Sequence, residues 1–239
     1  MLLPALLFMS AVGAAIVAYS PLPVFPPPAR ISAISPGPCT TDAINLERGT
    51  MTATDSSLLA IYESGLPYTK FLDAVDSRRE GWLKHTDSAQ VDAALVARAR
   101  AVAGKWKLMV VAVDACNDSM NSVPFVARLL DSVPSVEMRI VLPEKGASVQ
   151  QSHKTMDGRA ATPTFVLLDE TGKDVGCIAE LPRELRHAVT ALRKDGKIDQ
   201  AQAAKRAFYE TNKGRAITAE VVEMLEAAAS GKPLCEKGS

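Results

Sequence analysis

The chain has little of what several large functional classes require. Its 27 lysines and arginines are balanced by 27 aspartates and glutamates, which disfavours a general nucleic-acid binder held by a basic surface. Four cysteines in 239 residues are too few for a small secreted scaffold built on disulfides. The three histidines, at positions 85, 153 and 187, are too far from cysteine or from one another for a local metal motif. We therefore expect no metal site.

The signatures of several enzyme classes are also missing. The sequence contains no glycine-rich phosphate loop, no Gly-x-Ser-x-Gly nucleophile elbow and no paired-carboxylate motif. Hydrophobic residues make up 47% of the chain and charged residues 23%, a composition typical of an ordered globular protein. The length fits one medium domain with extensions, or two small domains.

Residues 1–50 differ from the rest of the chain. No charged side chain occurs before Arg30, and Met1 to Tyr19 is almost wholly apolar, which suits a signal peptide or a membrane anchor. A proline-rich stretch follows, and we expect it to be disordered. A third alternative is that translation starts at Met51. That start favours a cytoplasmic protein, whereas the other two imply export or a membrane-anchored N-terminus; the three alternatives stay open.

The rest of the chain alternates apolar runs with amphipathic stretches, which predicts an α/β fold with a mixed sheet and helices on both faces. Predicted strands cover Leu108 to Val113, Val136 to Leu142, Thr164 to Leu168 and Asp174 to Ile178. Predicted helices run from an Asp87 N-cap to Ala103, Asn117 to Val133, Ser148 to Met156, Pro182 to Lys194, Asp199 to Thr211 and Thr218 to Ser230. We therefore expect a helical extension over 51–104, a core over 105–195, and C-terminal helices with a loose tail over 196–239.

Cys116 is the residue that points to chemistry. It follows a predicted buried strand and stands at the start of the next helix, where backbone N–H groups and the helix dipole favour a thiolate. The hydroxyl of Ser119, three residues later, can donate a hydrogen bond to that sulfur. Asp114 and Asp118 act in the opposite direction, because a nearby like charge raises the pKa of a thiol.

Four features of this region resemble the thioredoxin-like superfamily, in particular its bacterial branch of thioredoxin family proteins. They are the strand Leu108 to Val113, the Cys116-Asn117-Asp118-Ser119 motif in the position of Cys-x-x-Cys, Pro124 in the following helix, and the segment Gly158 to Gly172. That last segment contains Thr162-Pro163-Thr164 before an apolar run and resembles the family's cis-proline loop, strand and turn. The resemblance covers about Lys105 to Leu185.

The resemblance implies a thioredoxin-like mixed sheet flanked by helices, with additional helices at both ends. It implies that Cys116 attacks protein or glutathione mixed disulfides, and that Thr162 and Pro163, joined by a cis peptide bond, present a backbone edge to the substrate. Ser119 replaces the second cysteine, which disfavours the usual dithiol mechanism, in which the second cysteine of this motif releases the substrate. A one-thiol cycle remains, in which glutathione as co-substrate, or another thiol, releases the product; no other cofactor is expected.

The sequence leaves alternatives open for the function and for the roles of several residues. The same edge suits a redox-inactive thioredoxin-fold binding module that has no enzymatic activity. Cys177 and Cys235 are candidates for an internal resolving thiol, although we expect Cys177 to pack as a small apolar side chain. Arg159 is either a cation that binds a glutathione carboxylate or a solvated surface charge. We expect the three histidines to be surface or helix residues, and Trp82 to anchor the core.

Overall fold

The computed structural model describes residues 58–238, so the segment 1–50 lies outside the described residues. The helices are α1 Leu58–Glu63, α2 Tyr68–Ala74, α3 Arg79–Ser88, α4 Ala93–Ala101, α5 Asn117–Met120, α6 Val123–Leu130, α7 Pro143–Ser152, α8 Arg183–Lys194, α9 Ile198–Asn212 and α10 Arg215–Ala229. The strands are β1 Leu66–Pro67, β2 Trp106–Val111, β3 Val136–Val141, β4 Thr164–Leu168, β5 Asp174–Ala179 and β6 Leu234–Cys235.

The six strands form one mixed sheet in the order β1-β3-β2-β4-β5-β6. The neighbouring strands β2 and β3 are parallel, as expected for a strand–helix–strand unit. Strand β4 runs antiparallel to β2 and forms a hairpin with β5. The prediction of a mixed sheet that contains a hairpin is confirmed.

Each central strand contributes side chains to two cores, because successive residues of a strand point to opposite faces. In β2, Leu108 and Val110 join the larger core, whereas Met109 and Val111 join the smaller one. Helices α6 and α10 cover the first face, and α1 and α7 cover the second. Burial on both faces explains why β2 reads as a continuous apolar run.

The extensions at both ends are built into this architecture. Strand β1 of the N-terminal extension pairs with β3, and the Trp82 side chain of α3 is fully buried in the larger core, as expected. Helix α10 packs against α4, α6 and β5. None of the helices within residues 58–238 has the length and apolar character that crossing a membrane requires.

The helix predicted over Asn117 to Val133 is wrong, because the structure has two shorter helices there. Helix α5 ends at Met120 and α6 begins at Val123, with Pro124 in the first turn of α6. Proline has no backbone N–H and its ring clashes with the carbonyl four residues earlier, so it is tolerated in the first turn of a helix and not in its interior. Pro124 therefore marks the start of a new helix.

Two other helix boundaries also differ from the prediction. Asp87 lies within α3, and the aspartate that caps α4 is Asp92, whose carboxylate accepts a hydrogen bond from the Ala94 N–H at 2.8 Å. Helix α7 begins at Pro143, with proline again in the first turn, and ends at Ser152. A short polar side chain marks an N-cap only where a helix starts, and Asp92 meets that condition whereas Asp87 does not.

The prediction of a loose C-terminal tail is wrong. Residues 234–235 form β6, which pairs with β5 in parallel and aligns Cys177 with Cys235. The two cysteines form a disulfide, so Cys177 is not simply a small apolar side chain. The disulfide holds the last strand on the edge of the sheet.

We predict that Cys235→Ser lowers the free energy of unfolding by about 2–4 kcal/mol, because the disulfide closes a long loop and restricts the unfolded chain. The cysteines are 58 residues apart. Urea unfolding followed by circular dichroism measures the loss. The difference between the variant and the wild type should disappear in dithiothreitol, whereas equal stability without reductant would contradict the prediction.

Candidate active site

The topology brings the cysteine motif and the proline loop together at one end of the neighbouring strands β2 and β4. Strands β2 and β4 are antiparallel neighbours, and Val111 at the end of β2 pairs with Thr164 at the start of β4. The chain therefore leaves β2 toward Cys116 at the place where it enters β4 from Pro163. This pairing fixes the approach of two segments that are far apart in sequence.

The loop before Cys116 is held by the N-terminal extension. The Trp82 indole N–H donates to the Asp114 carbonyl oxygen at 2.9 Å, and the Arg78 guanidinium donates to the Ala115 carbonyl oxygen at 2.7 Å. The Asp114 carboxylate accepts hydrogen bonds from the backbone N–H groups of Asp76 and Ser77. The sequence indicated Asp114 only as a negative charge near the sulfur. In the structure its carboxylate fixes the loop before Cys116 to the N-terminal extension.

Cys116 is the N-cap residue of α5, and its sulfur lies between two backbone groups. The Ser119 N–H donates to the sulfur at 3.4 Å, and the Thr162 carbonyl oxygen lies 3.2 Å from it. Because α5 has only four residues, the N–H of Ser119 supplies local polarity in place of a long helix dipole. This contact joins the motif directly to the proline loop.

The Ser119 side chain does not make the bond that we expected from it. Ser119 is fully buried, and its hydroxyl has no hydrogen-bond partner within residues 58–238. The backbone of the same residue makes the contact with sulfur. A buried hydroxyl without a partner is uncommon, and the Ser122 hydroxyl is a second one within residues 58–238.

Thr162 and Pro163 occupy the position that the sequence indicated. The peptide bond between them is cis, and the Pro163 carbonyl oxygen accepts a hydrogen bond from the Glu180 N–H at 2.8 Å. Both residues are buried, and Cys116 is only 3% exposed. The described structure therefore leaves little of the sulfur and of the proline loop accessible to solvent.

No cysteine within residues 58–238 is a free thiol. Cys177 and Cys235 are bonded to each other, and Cys116 is also part of a disulfide. Neither Cys177 nor Cys235 is thus available as a resolving thiol in this structure. The site is in an oxidised form, so its reactivity has to be measured after reduction.

Sequence reasoning missed a buried ion pair inside the motif. Asp118 is fully buried, and its two carboxylate oxygens accept hydrogen bonds from the Lys205 ammonium at 2.6 Å and the Tyr209 hydroxyl at 2.9 Å. Burial raises the pKa of Asp118, and Lys205 and Tyr209 oppose that rise. Both partners lie on α9, so the C-terminal extension is attached to the motif itself. The spacing of Lys205 and Tyr209, which places them on one face of α9, is the only sequence signal of this contact.

A second buried charge cluster supports the proline loop. The Glu180 carboxylate accepts hydrogen bonds from Arg159 at 2.7 Å and from Arg193 at 2.7 and 2.9 Å. Burial on its own would raise the pKa of Glu180, but the two guanidinium groups lower it below its ordinary value. Arg159 also binds Asp157. Arg159 is therefore neither a solvated charge nor a free cation for a glutathione carboxylate.

The histidines differ from one another. His153 is buried, with one ring nitrogen 2.8 Å from the Val149 carbonyl oxygen and the other 2.8 Å from the Asp174 carboxylate, so it links α7 to β5. His187 is exposed on α8, beside Glu236. No group of three histidine, cysteine or acidic side chains in residues 58–238 could hold a metal ion.

Comparison with known proteins supports this fold. A family profile described as Thioredoxin matches residues 65–194, which is more than half of the chain. A crystal structure of an HIV epitope scaffold superimposes with a TM-score of 0.57 at 15% identity, and a protein of unknown function from Pseudomonas aeruginosa with 0.54 at 17%. Each match covers 72% of this chain and 98% of the other, and at these identities the likeness shows the fold alone. No curated protein matches the chain.

We predict that Lys205→Met lowers the free energy of unfolding by about 3–5 kcal/mol, because it leaves the buried Asp118 carboxyl without its cation. Arg206→Met, on the exposed side of the same helix, is the matched control and should change stability by no more than about 0.5 kcal/mol. Chemical unfolding of both variants gives the comparison.

The double variant Asp118→Asn/Lys205→Met separates the ion pair from the packing. It should be more stable than Lys205→Met alone, since no buried charge is then left unpaired. Equal losses for Lys205→Met and Arg206→Met would show that the ion pair does not anchor α9 to the motif.

Proposed function

Because the chain belongs to the thioredoxin family, whose profile spans the motif and the proline loop, we propose that Cys116 carries out thiol–disulfide exchange on protein or glutathione mixed disulfides. The observation that carries this proposal is the position of the Cys116 sulfur, 3.2 Å from the Thr162 carbonyl oxygen and within reach of the Ser119 N–H. Thiolates are stabilised by such N–H donors.

The proposed cycle uses a single thiol. The Cys116 thiolate attacks one sulfur of the substrate disulfide; the Cys116–substrate S–S bond forms, the substrate S–S bond breaks, and the other sulfur leaves as a thiolate that takes a proton from water. The thiolate of external glutathione then attacks the substrate sulfur of the mixed disulfide. This second step releases Cys116 as a thiolate and leaves the substrate sulfur bonded to glutathione.

The residues around the sulfur have distinct roles in this proposal. The Ser119 N–H stabilises the thiolate, and the Ser119 hydroxyl, buried without a partner in the described structure, is available as a second donor once Cys116 is reduced. An extended substrate backbone would lie along Thr162 and Pro163, which places the scissile disulfide beside Cys116. Since Ser119 is not a thiol, glutathione or a protein thiol has to complete the cycle.

One observation favours the alternative of a redox-inactive binding module. Cys116 is 3% exposed, whereas a nucleophile must be reached by its substrate. The exchange proposal therefore requires that reduction or substrate binding opens the site. If it does not, the thioredoxin fold serves only to bind a partner.

We predict that the reduced protein accelerates the release of glutathione from a glutathionylated peptide when free glutathione is supplied, and that Cys116→Ser removes this rate. Product formation is followed by mass spectrometry. Cys235→Ser, which removes a cysteine outside the site, is the matched control and should keep most of the rate. If the folded wild-type protein releases glutathione no faster than Cys116→Ser does, the exchange function is contradicted and the redox-inactive binding module is the remaining alternative.

We also infer that the protein works in an oxidising compartment, which corresponds to the export alternative. The Cys177–Cys235 disulfide supports this inference, because disulfides persist in exported proteins and are rare in the reducing cytosol.

Thiol trapping in intact host cells checks the compartment. Acid quenching followed by alkylation with a large maleimide should leave Cys177 and Cys235 unmodified, because they are paired. Reduction before alkylation is the control that makes both sites reactive. Alkylation of both cysteines in the unreduced sample would contradict an oxidising compartment.

A further inference from the structure

A cleft of about 990 Å³ adjoins the cysteine motif. One wall comes from α3 and the segment that follows it, including Lys84. The opposite wall comes from the end of α9 and the start of α10, including Arg206. Its floor contains Asn117, the residue that follows Cys116, and Met120. A ligand in this cleft therefore contacts the motif at the residue next in sequence to the proposed nucleophile.

The cleft concentrates positive charge in a chain whose formal net charge is zero. Its walls carry the exposed cations Lys84, Arg206, Lys213 and Arg215, against two acidic residues, Asp92 and Glu210. The Asp92 carboxylate is used to cap α4. None of the four cations takes part in an ion pair within residues 58–238, although most cations around the proline loop do. Unpaired cations on both walls favour an anionic ligand.

The floor and walls suit a polypeptide better than a small ion. Between the cations lie amide side chains, those of Gln90, Asn117, Asn121 and Asn212, and the apolar side chains of Met120 and Phe125. Amides can donate to and accept from a peptide backbone, and apolar surface holds a side chain. A lone phosphate would need donors that converge on one point, whereas the cations and amides of this cleft come from several separate elements, among them α3, α5, α9 and α10.

The α9 wall is fixed to the motif. Tyr209 lines the cleft and donates its hydroxyl hydrogen to the buried Asp118 carboxylate. At the end of the same wall, Lys213 has a left-handed backbone with φ of 48°, a conformation that non-glycine residues adopt at a cost. Gly214 follows with φ of 76°, and a Cβ there would lie 2.1 Å from the Phe125 side chain. The tight turn at Lys213 and Gly214 therefore packs against Phe125 and fixes the position of Lys213 at the end of the α9 wall.

We propose that this cleft binds an acidic polypeptide segment, and that this segment belongs to the protein whose disulfide Cys116 attacks. The second half of the statement rests on the proposed exchange function, whereas the binding does not. The acidic side chains pair with the cations of the two walls, and the backbone lies on the amides. The cleft thereby selects acidic substrates beside a reactive sulfur that itself has no sequence preference.

The binding test uses the wild-type protein without reductant and two fluorescein-labelled peptides that contain no cysteine. One alternates glutamate with leucine and the other alternates lysine with leucine. Fluorescence anisotropy at low salt should show binding of the glutamate peptide alone. Binding should weaken as salt is added, because screening reduces the attraction of exposed charges.

Charge reversal locates the site. Lys84→Glu/Arg206→Glu/Lys213→Glu should weaken binding of the glutamate peptide by about tenfold or more, from the loss of three contacts and the added repulsion. Lys105→Glu/Lys173→Glu/Lys232→Glu changes the net charge equally at exposed positions outside the cleft and should bind as the wild type does. Equal affinity for both peptides, equal effects of the two triple variants, or full competition by inorganic phosphate alone would overturn the proposal.

A separate measurement distinguishes the two halves. With the reduced protein, a glutathionylated acidic peptide should exchange faster than a glutathionylated basic one, and the cleft variant should lose the difference. Peptide binding without any exchange contradicts the redox function and the second half of the proposal, and leaves the cationic cleft as a binding site for acidic peptides. Exchange with no preference for the acidic peptide contradicts the cleft and leaves the redox function.

Discussion

The site depends on the contact between the Cys116 sulfur and the Thr162 carbonyl oxygen, which are 3.2 Å apart. Their residues are 46 positions apart in sequence, and only the antiparallel pairing of β2 with β4 brings them together. The buried central strands hold that pairing, because each packs against helices on both faces of the sheet. A shift of one residue in this register would turn every β4 side chain to the opposite core.

The C-terminal extension is part of the site and not only a cover for the core. Helix α9 lies beyond the residues that match the family profile, yet it supplies both partners of the buried Asp118 carboxylate. A buried charge of this kind is costly unless it is paired, so the motif and α9 need each other. The same helix forms one wall of the cationic cleft. Anchoring and substrate selection thus share one element.

The core strands and the chemical motif were predictable from local sequence. A strand buried on both faces appears in the sequence as an apolar run. The Thr162-Pro163-Thr164 segment before such a run identifies the proline loop. Both signals were readable because each lies within a few consecutive residues. The Asn117 to Val133 helix was predicted as one element because apolar spacing outweighed the local meaning of Pro124, which lies in the first turn of α6. What the sequence could not show are the long-range partners. Lys205 is 87 residues from Asp118 and Cys235 is 58 from Cys177, and no local pattern connects either pair.

The most direct test of the account is peptide mapping by mass spectrometry after the reduced protein has been incubated briefly with oxidised glutathione. The account predicts that a single glutathione becomes attached first, and that it is attached to Cys116, since that sulfur has the N–H donor and the adjoining backbone edge. Attachment to Cys177 or Cys235 while Cys116 stays unmodified in the folded protein would contradict it.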